Sequence, residues 1–332
     1  MGTVVLVGLQ IDKGLNLSLV KREQRGLCRD DVVIRVLASG ICSTDIHIVN
    51  GESRVSPPVV LGHEFGGVVE TVGEEVRDLK SGDTVAVDPN ISCGKCEYCR
   101  EGKPHLCSNL KAIGVDVDGG MSDRCVVPAK QVYKMPQGFN IGDLPFIEPL
   151  SCVLHGLDIV SVRHGERVLI IGTGTIGLMH LKLLKNIAGE ICVDDINPSR
   201  RELAASLGGA RVGGEPDSHF DAVLECSGTV AGFERAVRLV KRGGRVLVFG
   251  VAPRTAQAGI SPNAIYSKEI TIMGSYINPN TFGRAVALVS SGKIGFGDLD
   301  IKFFRLEEFE KAFEASASGQ HSKVAFTPTE AI

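Results

Sequence analysis

Apolar and polar positions alternate with period two through the start of the chain, at residues 3–7, 15–20 and 31–36. That spacing predicts short antiparallel strands, each with one face toward a core. Residues 66–72, 82–87 and 123–127 extend the pattern, with Gly66 and Gly67 placed where another backbone must come close. Together they predict a glycine-rich β domain, a partly open barrel. From Glu166 the pattern changes. Val168, Leu169, Ile170 and Ile171 form an unbroken apolar run, as in a parallel strand buried on both faces. A glycine-rich turn follows and opens a helix to about residue 186. Strands are then expected at 191–195, 210–212, 221–225, 245–249 and 270–274, with helices at 198–207 and 230–241 between them. Six strands in this alternation make a doubly wound parallel sheet. The last part predicts helices at 281–291 and 306–317, the second with Leu306, Phe309 and Phe313 on one face, and a strand at 322–326. This tail is expected to fold back on the first lobe. The division predicted is therefore 1–150, a catalytic part; 151–276, a nucleotide-binding part; and 277–332, completing the first.

Composition narrows the classes. The chain has 332 residues, 43% hydrophobic and 23% charged, as in a two-domain globular protein. A net charge of −3 advertises no basic face, so nucleic acid is not an expected partner. The basic cluster Arg235, Arg238, Lys241, Arg242 and Arg245 reads as a solvated helix face and turn. No apolar run approaches a membrane span. Ten cysteines without an export signal point to thiols and metal in a reducing, cytoplasmic setting.

The candidate chemistry centres on residues 42–64. Cys42-Ser43-Thr44-Asp45-Ile46-His47 is followed by Gly62-His63-Glu64, which brings thiolate, imidazole and carboxylate together with hydroxyl and imidazole groups. Such donors suit Zn²⁺, and three protein ligands leave one position open for catalysis. Taken singly, Cys42 and His63 would pass for core residues. Cys93, Cys96, Cys99 and Cys107, spaced C-x2-C-x2-C-x7-C on a charged, glycine-bearing lobe, predict a closed tetrahedral zinc site, with an iron–sulfur cluster as the competing account. Glu148 sits among apolar neighbours, where it is either a helix-start charge or a ligand to the metal or its water. Gly172-Thr173-Gly174-Thr175-Ile176-Gly177 follows a strand and opens a helix, with Asp195 about twenty residues on, the context a dinucleotide turn requires. Asp195 is placed to take the ribose hydroxyls, with Asp194 as the alternative. Its carboxylate favours NAD over NADP, although Arg200 could pair with a phosphate or cover the adenine.

These motifs resemble the zinc-dependent medium-chain alcohol and polyol dehydrogenases over nearly the whole chain. Ile147-Glu148-Pro149-Leu150 is similar to the sorbitol and threonine dehydrogenase branch. The resemblance implies a GroES-like β-rich catalytic domain plus a Rossmann domain and two zinc ions per chain. The catalytic ion would lie among Cys42, His63 and either Glu64 or Glu148, with Asp45 behind His63. Thr44 and His47 would relay a proton to solvent, and Ser43, Cys226, Val251 and Ser275 would line the cofactor. It also implies hydride transfer from a secondary alcohol or polyol to NAD⁺, and a homodimer or homotetramer. Threonine, diols and sugar phosphates are alternative substrates. Ile277-Asn278 and Ile48 stand where the sorbitol branch has an Arg-Tyr pair and a tyrosine, which argues against sorbitol itself. A zinc-independent reductase would lack both cysteine motifs, and a nucleotide-binding structural protein is the non-enzymatic rival.

Overall fold

The computed structural model describes residues 4–211 and 217–328. They form two compact units, Met1–Ser151 with Asn278–Ile332, and Cys152–Ile277.

In the first unit, strands Val5–Ile11 and Leu17–Glu23 make an antiparallel hairpin, joined on the other edge by Val59–Val60. A seven-stranded sheet carries the rest. Its order runs Val132–Lys134, Thr84–Val87, Glu64–Val72, Asp31–Gly40, Lys323–Phe326 and Ile301–Phe304, with Arg124–Pro128 also paired to Asp31–Gly40. The C-terminal segment thus enters the sheet of the N-terminal one: Ala325 pairs with Gly40, and Gly40 with Glu64. One core packs Val32, Ile34, Val36, Phe65, Val69 and Val85, all at most 1% exposed. A second joins Leu9, Ile11, Ile48, Leu61, Met121 and Phe326.

The alternation predicted for the third strand does not survive. Asp31–Gly40 is buried along nearly its whole length, because strands and the segment Ile141–Phe146 cover it. Among the elements without a clear sequence signal are helices Ile147–Val160 and Pro262–Lys268, and strand Ile301–Phe304. The first opens on an apolar segment that reads equally as strand or helix, and the other two are short.

The second unit is a six-stranded, all-parallel sheet. Counted along the chain, its strands Arg167–Ile171, Glu190–Asp194, Ala210–Arg211, Phe220–Glu225, Val240–Val248 and Thr271–Gly274 lie in the order 3-2-1-4-5-6. That is the doubly wound dinucleotide arrangement. Val212, expected to end the third of these strands, lies outside the described residues. Strand five starts earlier than expected: Val240 pairs with Phe220, the chain detours, and pairing resumes at Arg245 with Ala222. The helix before it therefore ends at Leu239. The basic cluster is largely paired, Arg235 with Asp194, Arg238 with Asp217, Lys241 with Asp221 and Arg245 with Glu166. No helix among the described residues is long and apolar enough to cross a membrane.

Candidate metal and cofactor sites

Cys42 caps the helix Ser43–Val49, and its own N–H donates back to Asp45 Oδ2 at 2.8 Å. This reciprocal cap fixes the thiol at the helix entrance. His63 and Glu64 arrive from the neighbouring strand segment after the tight turn at Gly62 (φ 98°), where a Cβ would fall 2.5 Å from Met121 N. Ligand atoms of Cys42, His63 and Glu64 all lie within 4.8 Å of one another. Glu148 is buried but outside that group.

Asp45 is fully buried, and its Oδ1 faces His63 Nδ1 at 3.6 Å, too long for a hydrogen bond. Both atoms lack hydrogen-bond partners among the described residues. Burial opposes charge on His63, but Asp45 and Cys42 outweigh it and hold the imidazole well above its usual pKa. The pocket thus attracts positive charge. With Nδ1 turned to Asp45, Nε2 is left for a cation, the arrangement in which a carboxylate orients a ligating histidine. The donor set fits Zn²⁺.

One participant has no sequence signature. Lys323, 5% exposed, places Nζ against Glu64 Oε2. Burial opposes its charge, but Glu64, Cys42 and Glu148 hold its pKa above the usual lysine value. The pair crosses over Gly40, where a Cβ would come within 2.5 Å of Glu64 Oε2 and 2.7 Å of Lys323 Cε.

Along the helix, Cys42 Sγ lies 3.6 Å from Thr44 Oγ1. His47 is three residues further on, on the same face. Ser43 is exposed. Ile48 is 0% exposed and belongs to the apolar core, so it offers a substrate nothing. Asn278, 2% exposed, spends its amide on Asp88, Asn90 and Ser151.

The four sulfurs of Cys93, Cys96, Cys99 and Cys107 also lie within 4.8 Å of one another. A tetrahedral zinc with bonds of about 2.3 Å needs sulfurs about 3.8 Å apart. Backbone N–H groups of Lys95 and Cys96 pull the Cys93 thiol down to about 6. Those of Cys99 and Ser108 lower Cys96. Burial, then the neighbouring thiols Cys96 and Cys107, push Cys99 up to about 11. A cation is what lets all four ionise together.

In the second unit Gly172 (φ 91°) makes the turn, and a Cβ there would strike Ser227 N at 2.7 Å. Gly174 caps the helix Thr175–Leu184, which begins with Thr175 and Ile176. Gly177 abuts the turn, where a Cβ would lie 2.0 Å from Gly172 O. Asp195 follows strand two. Its Oδ2 accepts from Thr173 N at 2.7 Å and Thr173 Oγ1 at 3.2 Å, and Oδ1 from Asn197 N at 2.8 Å. Asp194 instead pairs with Arg235. The Arg200 guanidinium lies 4.0 Å from a Cβ built on Gly174. Val251 is 65% exposed, and the Ser275 hydroxyl is buried without a hydrogen-bond partner among the described residues. Cys226 places Sγ 3.8 Å from His180 Nδ1, an interior contact.

A sheet of dinucleotide-binding order and two clusters of metal donors define a metal-using, nucleotide-linked oxidoreductase. Residues 28–137 match the alcohol dehydrogenase GroES-like domain, and 175–291 the zinc-binding dehydrogenase model. The chain is 32% identical to D-arabinitol dehydrogenase 1 of Uromyces fabae over 345 residues, 97% of each chain. It is 33% identical to L-threonine 3-dehydrogenase of Burkholderia lata, over 96% of this chain and 97% of that one. A zinc-binding dehydrogenase of Sinorhizobium meliloti 1021 bound to NADP superposes with TM-score 0.93 at 34% identity, covering 98% of this chain and 100% of that one. A short chain alcohol dehydrogenase of Escherichia coli CFT073 complexed with NADH gives 0.89 at 29%, covering 98% and 100%. The chain belongs to the zinc-dependent medium-chain alcohol/polyol dehydrogenase family.

Proposed function

We propose that the chain oxidises the secondary carbinol of a small alcohol, diol or polyol to a ketone, with NAD⁺ as acceptor. The observation that carries this reading is the convergence of Cys42, His63 and Glu64 within 4.8 Å beside a helix bearing Thr44 and His47. A divalent cation held by those three supplies Lewis acidity to the substrate hydroxyl, and the nicotinamide supplies the hydride acceptor. Asp45 keeps His63 in its ligating orientation. Glu148 and Lys323 flank Glu64 and set the charge around it. Oxidising a carbinol releases one hydride and one proton. Thr44 Oγ1 takes up that proton as it releases its own hydroxyl proton, and His47 passes a proton on to solvent. Cys93, Cys96, Cys99 and Cys107 hold a second, structural zinc.

The unit formed by Met1–Ser151 and Asn278–Ile332 is the catalytic one, and Cys152–Ile277 binds the cofactor. Gly172, Gly174 and Gly177 let the pyrophosphate approach the backbone, with Thr175 and Ile176 opening the helix beneath it. Cys226, Val251 and Ser275 complete the cofactor's surroundings in the same unit. NAD is favoured over NADP because the Asp195 carboxylate, fixed through both oxygens, repels a 2′-phosphate; Arg200 covers the adenine. One structural relative was solved with NADP and another with NADH, so the preference rests on Asp195. Buried Ile48 and engaged Asn278 favour a substrate shorter than a hexitol. Strand Thr271–Gly274 edges its sheet and supports a homodimer or homotetramer. Ten cysteines, with the metal-type spacing of Cys93, Cys96, Cys99 and Cys107, support a reducing, cytoplasmic setting.

The test is a panel of secondary alcohols, diols, pentitols and threonine followed by NADH absorbance, with NADP⁺ in parallel. Cys42→Ser is expected to abolish turnover while NADH still binds. Unchanged turnover in that variant refutes the assignment.

A further inference from the structure

We propose that Glu52 is the positioning residue for His47: its carboxylate holds the Nδ1–H of the neutral ring, so that Nε2 is the bare nitrogen that accepts the proton. The inference rests on the relay role given to His47 above. Glu52 Oε2 lies 2.6 Å from His47 Nδ1. The chain is built to bring it there. The helix Ser43–Val49 is stopped at Asn50, and Gly51, in the left-handed region at φ 75°, reverses the direction. Glu52 N and Ser53 N then both donate to the His47 carbonyl, at 2.8 and 3.1 Å. One residue is therefore gripped by the returning loop through both backbone and side chain. The far end of the loop is also pinned. Arg54 forms two bonds to Asp116, at 2.8 and 2.9 Å, and Ser56 Oγ a third to the same carboxylate at 2.9 Å.

The pair is not there for stability. The Glu52 side chain is 43% exposed, and exposed ion pairs contribute little. What a carboxylate on Nδ1 does accomplish is selection of the tautomer and ring orientation, as it does for histidines that carry protons or ligate metals. The His47 ring meets Glu52 through Nδ1, which leaves Nε2 as its acceptor. The balance is simple: Nε2 takes the proton handed on by Thr44, the ring becomes an imidazolium with Nδ1–H still on Glu52, and Nε2–H is then lost to a solvent base.

The experiment compares Glu52→Ala, Glu52→Asp and His47→Gln with the parent holoenzyme, in steady-state kinetics and in ¹⁵N NMR of the neutral His47 ring. Glu52→Ala is expected to lose roughly 10–100-fold in kcat, the scale for removing a histidine's orienting partner. KM for the alcohol and thermal stability should stay near the parent's. Its Nδ1–H tautomer signature should give way to Nε2–H, added imidazole should recover part of the rate, and Glu52→Asp should fall between. Parental kcat together with a parental tautomer in Glu52→Ala overturns the proposal. If His47→Gln itself turns over like the parent, the relay reading fails. If His47→Gln is slow and Glu52→Ala is not, only the role of Glu52 fails. The NMR comparison decides the tautomer whatever the substrate proves to be.

Discussion

Lys323→Met removes the charge that faces Glu64 and keeps most of the side chain's volume. Both side chains are about 5% exposed or less, so solvent cannot replace the lost partner. Removing one member of a buried ion pair costs about 3–5 kcal/mol, because the other charge remains uncompensated. Met fills the space of the lysine stem, so packing adds little to that figure. With about 2–4 °C per kcal/mol for a unit of this size, the melting point of the catalytic unit should drop by roughly 10 °C. The measurement is differential scanning fluorimetry on chelator-treated and zinc-loaded protein. The loss should be larger in the stripped protein, since a bound cation takes over part of the compensation of Glu64. The double variant Lys323→Met/Glu64→Gln should recover much of the loss, as deleting both charges leaves neither stranded. A single variant melting with the parent in both states, or a double variant less stable than the single, refutes the reasoning.

Other outcomes follow from the same geometry. Cys96→Ser should remove one zinc ion per chain by elemental analysis, and expose residues 93–107 to proteolysis. Asp88 is pushed up to about 6 by burial, against bonds from Asn90 and Asn278. Its folded pKa lies above the unfolded 3.8, so the penalty is absent below about pH 4 and full above about pH 7. Asp88→Asn should therefore stabilise the chain at pH 8 by up to about 3 kcal/mol and scarcely at pH 4, read by urea denaturation. Asp195→Ala should raise the KM for NAD⁺ and narrow its advantage over NADP⁺; an unchanged ratio in cofactor titrations sinks that assignment. Gly177→Ala should weaken NADH binding, measured by fluorescence, because a Cβ meets Gly172 O at 2.0 Å.

What could be read from the chain was mostly local. The four cysteines, the glycine turn and the Gly62-His63-Glu64 run announce themselves because their donors and turns sit a few residues apart. The doubly wound sheet was legible from its unbroken apolar strands. Lys323 was not legible, since it meets Glu64 across 259 residues and only the strand order brings them together. Glu52 was near in sequence to His47 but had no motif; the positive φ at Gly51 is what folds it back. In the sequence, Ile48 and Asn278 count against sorbitol because they stand where the sorbitol branch carries other residues. The structure spends one on the apolar core and the other on a buried amide network, and identity alone cannot distinguish such uses from contact with a ligand.

Because Lys323 lies on a strand that inserts beside Gly40, the sheet of the first unit stays unfinished until residues 323–326 have been synthesised, after every strand of the second. The second unit has all its strands well before then and can fold first. A chain ending before residue 323 would thus keep every strand of the second unit and leave a stranded acid at Glu64.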